Sequence, residues 1–256
     1  MQKRAIIPNL ITTFGLACGL FVIFRVNMAG DRTFGLMQTM TYILLLAAFA
    51  DVLDGAVARA VRGESDFGLE FDSLSDAITF GVAPSALFLS SIFFSDESVV
   101  AFFAICSALI YTICGVLRLV RFNITQAVDK EEKGKAFVGL PIPAAAMAFI
   151  SPNLFFHAPF FTSRYTLDLV ARAWIMSAIA IVLAYLMLSR IRFSSAKSFN
   201  IRLRSFETVF ISMLCIIIFL YGLIYNLAAL LFISSWGYIL FSLVLAPFRK
   251  KLKPKQ

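Results

Sequence analysis

Apolar segments long enough to cross a lipid bilayer recur along this sequence. A transmembrane helix needs about 20 predominantly apolar residues. Stretches of that kind lie at about residues 10–29, 34–57, 74–95, 98–119, 137–158, 167–188, 207–226 and 229–247. The chain is 60% hydrophobic, whereas soluble domains have about 45–50% apolar residues. We therefore predict an all-α polytopic membrane protein with about eight transmembrane helices, forming one membrane-embedded domain over residues 1–256.

The basic residues predict how these helices cross the membrane. Eight crossings place both termini on one side, and that side receives all but four of the 23 Lys and Arg residues. The four exceptions are Arg25, Arg32, Arg164 and Arg172. Because Lys and Arg accumulate in cytoplasmic loops, both termini are expected in the cytoplasm. The net charge of +8 comes from these clusters. No basic stripe with interleaved aromatic residues is present, so no nucleic-acid partner is expected.

Four aspartates stand where the second and third apolar segments meet the cytoplasmic side, in the stretch DVLDGAVARAVRGESDFGLEFDSLSD, residues 51–76. With 3.6 residues per helical turn, five residues between positions 51 and 59 lie within an arc of about 140° on one helix. This group is Asp51, Asp54, Gly55, Ala58 and Arg59. On the next helix Gly68, Asp72 and Asp76 are spaced by four and form one stripe. Two adjacent helices are thus predicted to direct four carboxylates at one point.

Carboxylates gathered at a membrane boundary repel one another unless a cation or a proton neutralises them. Oxygen ligands suit hard divalent ions such as Mg²⁺ or Mn²⁺, and four carboxylates are enough for two ions. Paired ions stabilise the attacking and leaving oxygens in phosphoryl transfer. The small residues on the same faces permit close helix packing or close approach of a ligand. Arg59 offers a planar guanidinium for phosphate.

Two other interpretations of the aspartates remain open at this point. The acids could be solvated charges of an ordinary cytoplasmic loop, or they could serve proton or cation transport, for which intramembrane acids are typical. The helical spacing and the apolar flanks disfavour the loop. The interfacial position disfavours transport, since no partner acids occur midway along the other segments.

The spacing Asp51-x2-Asp54-Gly55-x2-Ala58-Arg59-x8-Gly68-x3-Asp72-x3-Asp76 resembles the complete signature of the CDP-alcohol phosphatidyltransferases. Within that family, four segments resemble the bacterial and archaeal phosphatidylserine synthases. They are IPNLITTFGLACGL, TFGVAPS, RLVRFN and FVGLPIPAAA, between about residues 7 and 146. After about residue 150 only the hydrophobicity is similar.

The resemblance implies transfer of a phosphatidyl group from CDP-diacylglycerol to the hydroxyl of L-serine, with release of CMP. It implies Mg²⁺ or Mn²⁺ as cofactor, as two ions held by Asp51, Asp54, Asp72 and Asp76, with Asp76 also the general base. It further implies a nucleotide site, lined by Asn9, Thr12, Gly55, Ala58, Arg59 and Gly68. A homodimer in the bacterial cytoplasmic (inner) membrane, with its site facing the cytoplasm, is also expected.

The residues that select the acceptor are less clearly marked. Arg118 and Arg121, near the cytoplasmic end of the fourth segment, are candidates for binding the serine carboxylate or the diphosphate, and Asn123 could shape the same pocket. As an alternative, the two arginines serve only as positive-inside anchors. Choline, inositol or glycerol phosphate as acceptor, and an ion or solute transporter, remain the alternative functions.

Overall fold

The computed structural model describes residues 6–29, 33–61, 63, 65–92, 98–128, 139–165, 167–191, 221–222 and 224–251. Within these ranges the chain is helical and contains no strand. The α-helices are α1 Ile6–Met28, α2 Phe34–Val61, α3 Asp66–Asp76, α4 Ala83–Ser91, α5 Ser98–Val128, α6 Ile142–His157, α7 Pro159–Thr162, α8 Leu169–Leu188 and α9 Leu227–Lys251. One turn of π-helix, Ala77–Val82, joins α3 to α4.

Among the described residues, six helical segments are long and apolar enough to cross a membrane. They are α1, α2, the continuous segment Asp66–Ser91, and parts or all of α5, α8 and α9. The predicted all-helical polytopic architecture is therefore confirmed. Helix α6 is apolar but has only 16 residues. Most of the predicted segment 207–226 lies outside the described residues.

Apolar side chains cover much of the outer surface, as expected of a protein dissolved in lipid. On α1, for example, Leu10, Phe14 and Phe24 are exposed while Val22 is fully buried. The buried residues form two clusters. One joins α1, α2, α4, α6 and α9 around Leu44 and Leu87. The other joins the π turn with α4, α5, α6 and α8 around Tyr111 and Phe149.

Helix α1 lies against the π turn at a pair of glycines. A Cβ at Gly19 would stand 2.6 Å from Thr79 Oγ1 and 2.8 Å from Thr79 Cα. The Thr79 hydroxyl also lies 3.4 Å from the carbonyl of Gly15, the acceptor to which it donates. Glycine at position 19 therefore allows the two helices to come this close, which brings the N-terminal helix to the aspartates.

Helix α6 begins five residues later than the predicted segment at 137–158. Gly139 has a φ of +88°, which side-chain-bearing residues rarely adopt. Its N–H donates to Ile191 O, and that of Leu140 donates to Leu186 O. Pro141, with a ψ of 140°, is extended and stands directly before the first helical residue, Ile142. Leu140 precedes this proline, which disfavours the helical region for it. The segment GLP is thus tied to the end of α8 and is not helical.

Candidate active site

Three of the four signature aspartates meet between α2 and α3. One carboxylate oxygen from each of Asp51, Asp72 and Asp76 lies within 4.8 Å of the others. All three side chains are half-buried. We call these residues the acidic trio. Oxygen atoms this close, on two different helices, suit the coordination of a hard divalent cation, and without a cation or protons their charges repel.

Asp54 is not part of this 4.8 Å group, although its charge still acts on Asp72. It is 5% exposed, and its Oδ2 accepts a hydrogen bond of 2.7 Å from Thr12 Oγ1. The sequence predicted that all four carboxylates would be directed at one point, and the structure brings together three. Thr12 on α1 fixes the orientation of the fourth.

A small pocket opens beside the acidic trio. The trio, Asp54 and Thr12 all contribute to its wall. The remaining lining residues are Gly15, Ala47, Ser75, Thr79 and Phe80. The first helix thus closes the pocket from one side through Thr12 and Gly15, and Ser75 strengthens this contact by donating to Thr12 O at 3.4 Å. Asn9 is not among the lining residues, and its place in a nucleotide site remains a prediction.

An unsatisfied donor on α1 lies against the start of α3. Ser65 caps the helix by accepting from the Gly68 N–H at 3.1 Å. A Cβ at Gly68 would stand 3.2 Å from Asn9 Oδ1, so the Asn9 amide lies directly against the glycine. Its Nδ2 is buried and has no hydrogen-bond partner. A buried amide donor without a partner is costly, and a bound ligand with an acceptor atom would remove that cost.

The other predicted nucleotide-site residues lie further along α2, outside the wall of this cavity. A Cβ at Gly55 would stand 3.6 Å from Arg59 Nη1, so the guanidinium lies over the glycine one turn before it. Arg59 is exposed and Ala58 is half-buried. The carbonyl of Ala58 accepts from Gly63 N at 3.0 Å. The structure thus gathers Gly55 and Arg59 on one face, as the helical spacing predicted.

Two arginines on α5 have different surroundings. Arg118 is 7% exposed, its guanidinium lies 5.3 Å from the centre of the Phe122 ring, and its charge acts on Asp76 and Asp51. Arg121 donates from Nη1 to Leu188 O at 2.8 Å and from Nη2 to Met187 O at 3.3 Å. These carbonyls end α8, so Arg121 stabilises a helix C-terminus.

Asn123 joins the end of α5 to α3. Its Nδ2 donates to Ser73 Oγ at 2.9 Å, and its Oδ1 lies 3.2 Å from the same hydroxyl. Ser73 follows Asp72 directly in the sequence. Asn123 therefore lies next to the acidic helix, and its predicted place in the acceptor pocket remains a prediction.

Sequence reasoning named Thr12 for the nucleotide site but did not predict that it orients an aspartate on the neighbouring helix. The Thr12 contact with Asp54 spans 42 residues, and no local pattern indicates it. The π turn after Asp76 was also not predicted. A proline at position 84 is the one signal in the sequence, because proline removes a helical N–H donor.

The sequence is similar to those of known membrane-lipid enzymes. A family model for CDP-alcohol phosphatidyltransferase matches residues 5–186. A CDP-diacylglycerol–serine O-phosphatidyltransferase of Bacillus subtilis is 37% identical over 144 residues, 56% of this chain and 73% of the relative. One from Methanocaldococcus jannaschii is 33% identical over 193 residues, 75% and 76% of the two chains. An archaetidylserine synthase of Methanothermobacter thermautotrophicus is 33% identical over 181 residues, 69% and 66%.

Proposed function

Because this chain belongs to the CDP-alcohol phosphatidyltransferase family, we propose that it transfers the phosphatidyl group of CDP-diacylglycerol to L-serine, giving phosphatidylserine and CMP. The acidic trio carries this proposal, because it gathers carboxylates at the family's signature positions. The serine acceptor follows from the names of the relatives, two of which are phosphatidylserine synthases and one an archaetidylserine synthase.

The donor lipid is proposed to bind with its diphosphate at the acidic trio and its acyl chains in the membrane. The unpartnered Asn9 Nδ2 supports a nucleotide position beside Gly68, where the amide could donate to a base or phosphate oxygen. Arg59, exposed and lying over Gly55, is placed to pair with a phosphate that reaches beyond the cavity. Together with Thr12 and Ala58, these residues form the proposed nucleotide site.

Divalent ions fit the acidic trio, since it supplies three carboxylate oxygens within 4.8 Å. We propose that Asp51, Asp72 and Asp76 hold Mg²⁺ or Mn²⁺ and that Asp54, oriented by Thr12, completes a site for two ions. When bound, such ions would neutralise the diphosphate and make CMP a better leaving group. Their binding would also offset the repulsion among the carboxylates.

The transfer step requires a base for a weak nucleophile. We assign this role to Asp76, whose carboxylate would take the proton of the serine hydroxyl during attack. The hydroxyl oxygen forms a bond to the phosphorus that carries diacylglycerol. The bond from that phosphorus to the oxygen of CMP breaks, and CMP leaves with the electron pair. Arg118, buried and close enough to act on Asp76, is the proposed partner of the serine carboxylate.

We also propose the full topology that the sequence suggests. The six long helices, the shorter α6 and the apolar segment 207–226 together support eight crossings. The excess of Lys and Arg on the side of the termini supports a cytoplasmic active site in the bacterial cytoplasmic membrane. We also propose that residues 1–256 form a single membrane-embedded domain and that the protein is a homodimer.

Assaying four acceptor alcohols in parallel tests the proposed function. Membranes that contain the protein receive CDP-diacylglycerol, Mn²⁺ and labelled serine, choline, inositol or glycerol phosphate in parallel. We expect labelled lipid from serine alone. Lipid from another alcohol in place of serine would move the protein to another acceptor class. No lipid from any of them, with folded protein, would leave the transport alternative.

A further inference from the structure

The chain changes helical register directly after the last signature aspartate. In the π turn Ala77–Val82 the N–H of Ala83 donates to Ile78 O, five residues earlier. Such turns occur mostly as single insertions in α-helices, frequently at functional sites. Because a π turn holds more residues than an α turn, it rotates the side chains of the helix before it relative to those of the helix after it. Before the turn stand Asp72 and Asp76; after it, Ala83 and Leu87 enter the core.

The π turn contains a backbone carbonyl, that of Phe80, which has no N–H donor four residues later in the chain. Pro84 has no N–H, so it cannot donate to Phe80 O four residues earlier. The Tyr111 hydroxyl on α5 donates to that oxygen at 3.0 Å. Tyr111 is fully buried, and its ring centre lies 4.7 Å from that of Phe149. A side chain from another helix thus replaces the donor that Pro84 lacks.

The next carbonyl, that of Gly81, is held in the same way. Thr112 Oγ1 and Ser85 Oγ each lie 3.1 Å from Gly81 O, and the two hydroxyls are 2.9 Å apart. Both also reach Ala108 O, at 3.0 and 3.3 Å. The two hydroxyls therefore share the two carbonyls, one on the π turn and one on α5, and bind the two helices together.

Helix α5 connects these hydrogen bonds to the active site. Arg118, whose charge acts on Asp76 and Asp51, stands seven residues after Tyr111, two helical turns along the same face. The helix that holds the π turn therefore also carries a buried cation whose charge acts on two residues of the acidic trio. The π turn follows Asp76 directly and is held at Phe80 O by Tyr111, so its geometry bears on the direction of the carboxylates that precede it.

We propose that Tyr111 and Thr112 are positioning residues, which hold the π turn and thereby direct Asp72 and Asp76 at the metal site. This inference rests on the proposed function in one respect, that these two aspartates bind divalent ions. Neither residue lines the pocket beside the acidic trio. Loss of either hydroxyl lets the turn relax, and the carboxylates of α3 then lose their alignment with Asp51.

Direct Mn²⁺ binding tests this inference. The purified full chain in detergent is titrated with Mn²⁺, and free Mn²⁺ is measured by its electron paramagnetic resonance signal. Removing a group that orients a metal ligand typically costs about 10–100-fold in metal affinity. Because Tyr111 and Thr112 act through the turn, we expect Tyr111→Phe and Thr112→Val to raise the Mn²⁺ dissociation constant by about tenfold, the lower end of that range.

Two matched variants control the measurement. Tyr185→Phe removes a hydroxyl from a side chain that is 70% exposed on α8, and Thr112→Ser keeps the hydroxyl that binds Gly81 O. Both should bind Mn²⁺ as the wild type does. Unchanged Mn²⁺ affinity in Tyr111→Phe and Thr112→Val would overturn the proposal, as would an equal loss in Tyr185→Phe. If Tyr111→Phe does not fold, comparing the Mn²⁺ affinity of Thr112→Val with that of Thr112→Ser tests the proposal in the same way.

The result separates this inference from the proposed function, because Mn²⁺ binding needs no acceptor. Weakened binding in the two variants, with no phosphatidylserine from the wild type, would contradict the function and retain the positioning role. Phosphatidylserine from the wild type, with unchanged Mn²⁺ binding in both variants, would contradict the positioning role alone.

Discussion

Thr12 Oγ1 donates a 2.7 Å hydrogen bond to Asp54 Oδ2 and so links the first helix to the aspartate helix. The same hydroxyl lies 3.1 Å from Pro8 O, but it has a single hydrogen. The shorter contact, to a carboxylate, is the stronger of the two, because hydrogen bonds to charged acceptors are roughly twice as strong as neutral ones. One side chain of α1 therefore decides where the fourth signature carboxylate points.

Thr12→Val should weaken metal binding, because it removes this hydrogen bond while it keeps the shape of the side chain. We expect the Mn²⁺ concentration for half-maximal activity to rise about tenfold or more, as is typical when a group that orients a metal ligand is lost. Thr12→Ser, which keeps the hydroxyl, is the control and should behave as the wild type. An equal rise in both variants, or no rise in Thr12→Val, would show that the hydrogen bond to Asp54 does not account for the effect.

Asp76→Asn should abolish turnover and largely spare nucleotide binding. The amide cannot accept the serine proton, and general-base catalysis contributes about 10²–10⁴-fold to a rate. CMP binding by the purified protein, measured by calorimetry, should change far less than the turnover number. Retained turnover would remove Asp76 as the base. Loss of CMP binding as severe as the loss of turnover would reduce its role to holding the metal.

Arg118→Ala should raise the KM for serine. The guanidinium is buried beside the acidic trio, and loss of a charge-assisted contact typically costs about 1.5–3 kcal/mol, roughly 10- to 150-fold in affinity. The KM for CDP-diacylglycerol is the internal control and should change less. An unchanged serine KM would leave Arg118 as a topology anchor.

Arg121→Ala separates two roles for that residue. Its guanidinium donates to Met187 O and Leu188 O at the end of α8, so we expect the variant to unfold at a lower temperature in detergent. If Arg121 also binds the serine carboxylate, as the sequence suggested, the serine KM rises as it does in Arg118→Ala. A lowered melting temperature with an unchanged serine KM would restrict Arg121 to stabilising the helix end.

Gly19→Ala should destabilise the protein. Its new methyl would stand 2.6 Å from Thr79 Oγ1 and 2.8 Å from Thr79 Cα, closer than real contacts allow, and overpacking of this kind costs about 1–3 kcal/mol. Gly35→Ala is the matched control, because a Cβ there meets nothing within 4 Å. Thermal unfolding in detergent should separate the two variants. Equal stability would show that α1 and the π turn can move apart without cost.

The positions of the aspartates followed from the sequence because helical spacing determines which residues share a face. Asp72 and Asp76 are four residues apart, and both meet Asp51 as predicted. Which carboxylates converge was harder to predict. Asp54 takes its orientation from Thr12, 42 residues earlier, and no local pattern determines a contact over that distance.

The register change after Asp76 illustrates the same limit. Pro84 indicates that Phe80 O lacks an α-helical donor, but a helix can adapt to proline by a kink, a water or a π turn. The tyrosine hydroxyl that satisfies this carbonyl comes from α5, so the outcome depends on tertiary packing. In the same way, the late start of α6 depends on backbone hydrogen bonds from Gly139 and Leu140 to the end of α8.

The most direct test of the central claim measures both products of one reaction. Purified protein receives CDP-diacylglycerol, Mn²⁺ and labelled serine, and the labelled phosphatidylserine and released CMP are counted over time. We predict equal molar amounts of the two products from the wild type and neither product from Asp76→Asn. CMP release without labelled lipid, or no CMP from folded wild-type protein, would contradict phosphatidyl transfer to serine.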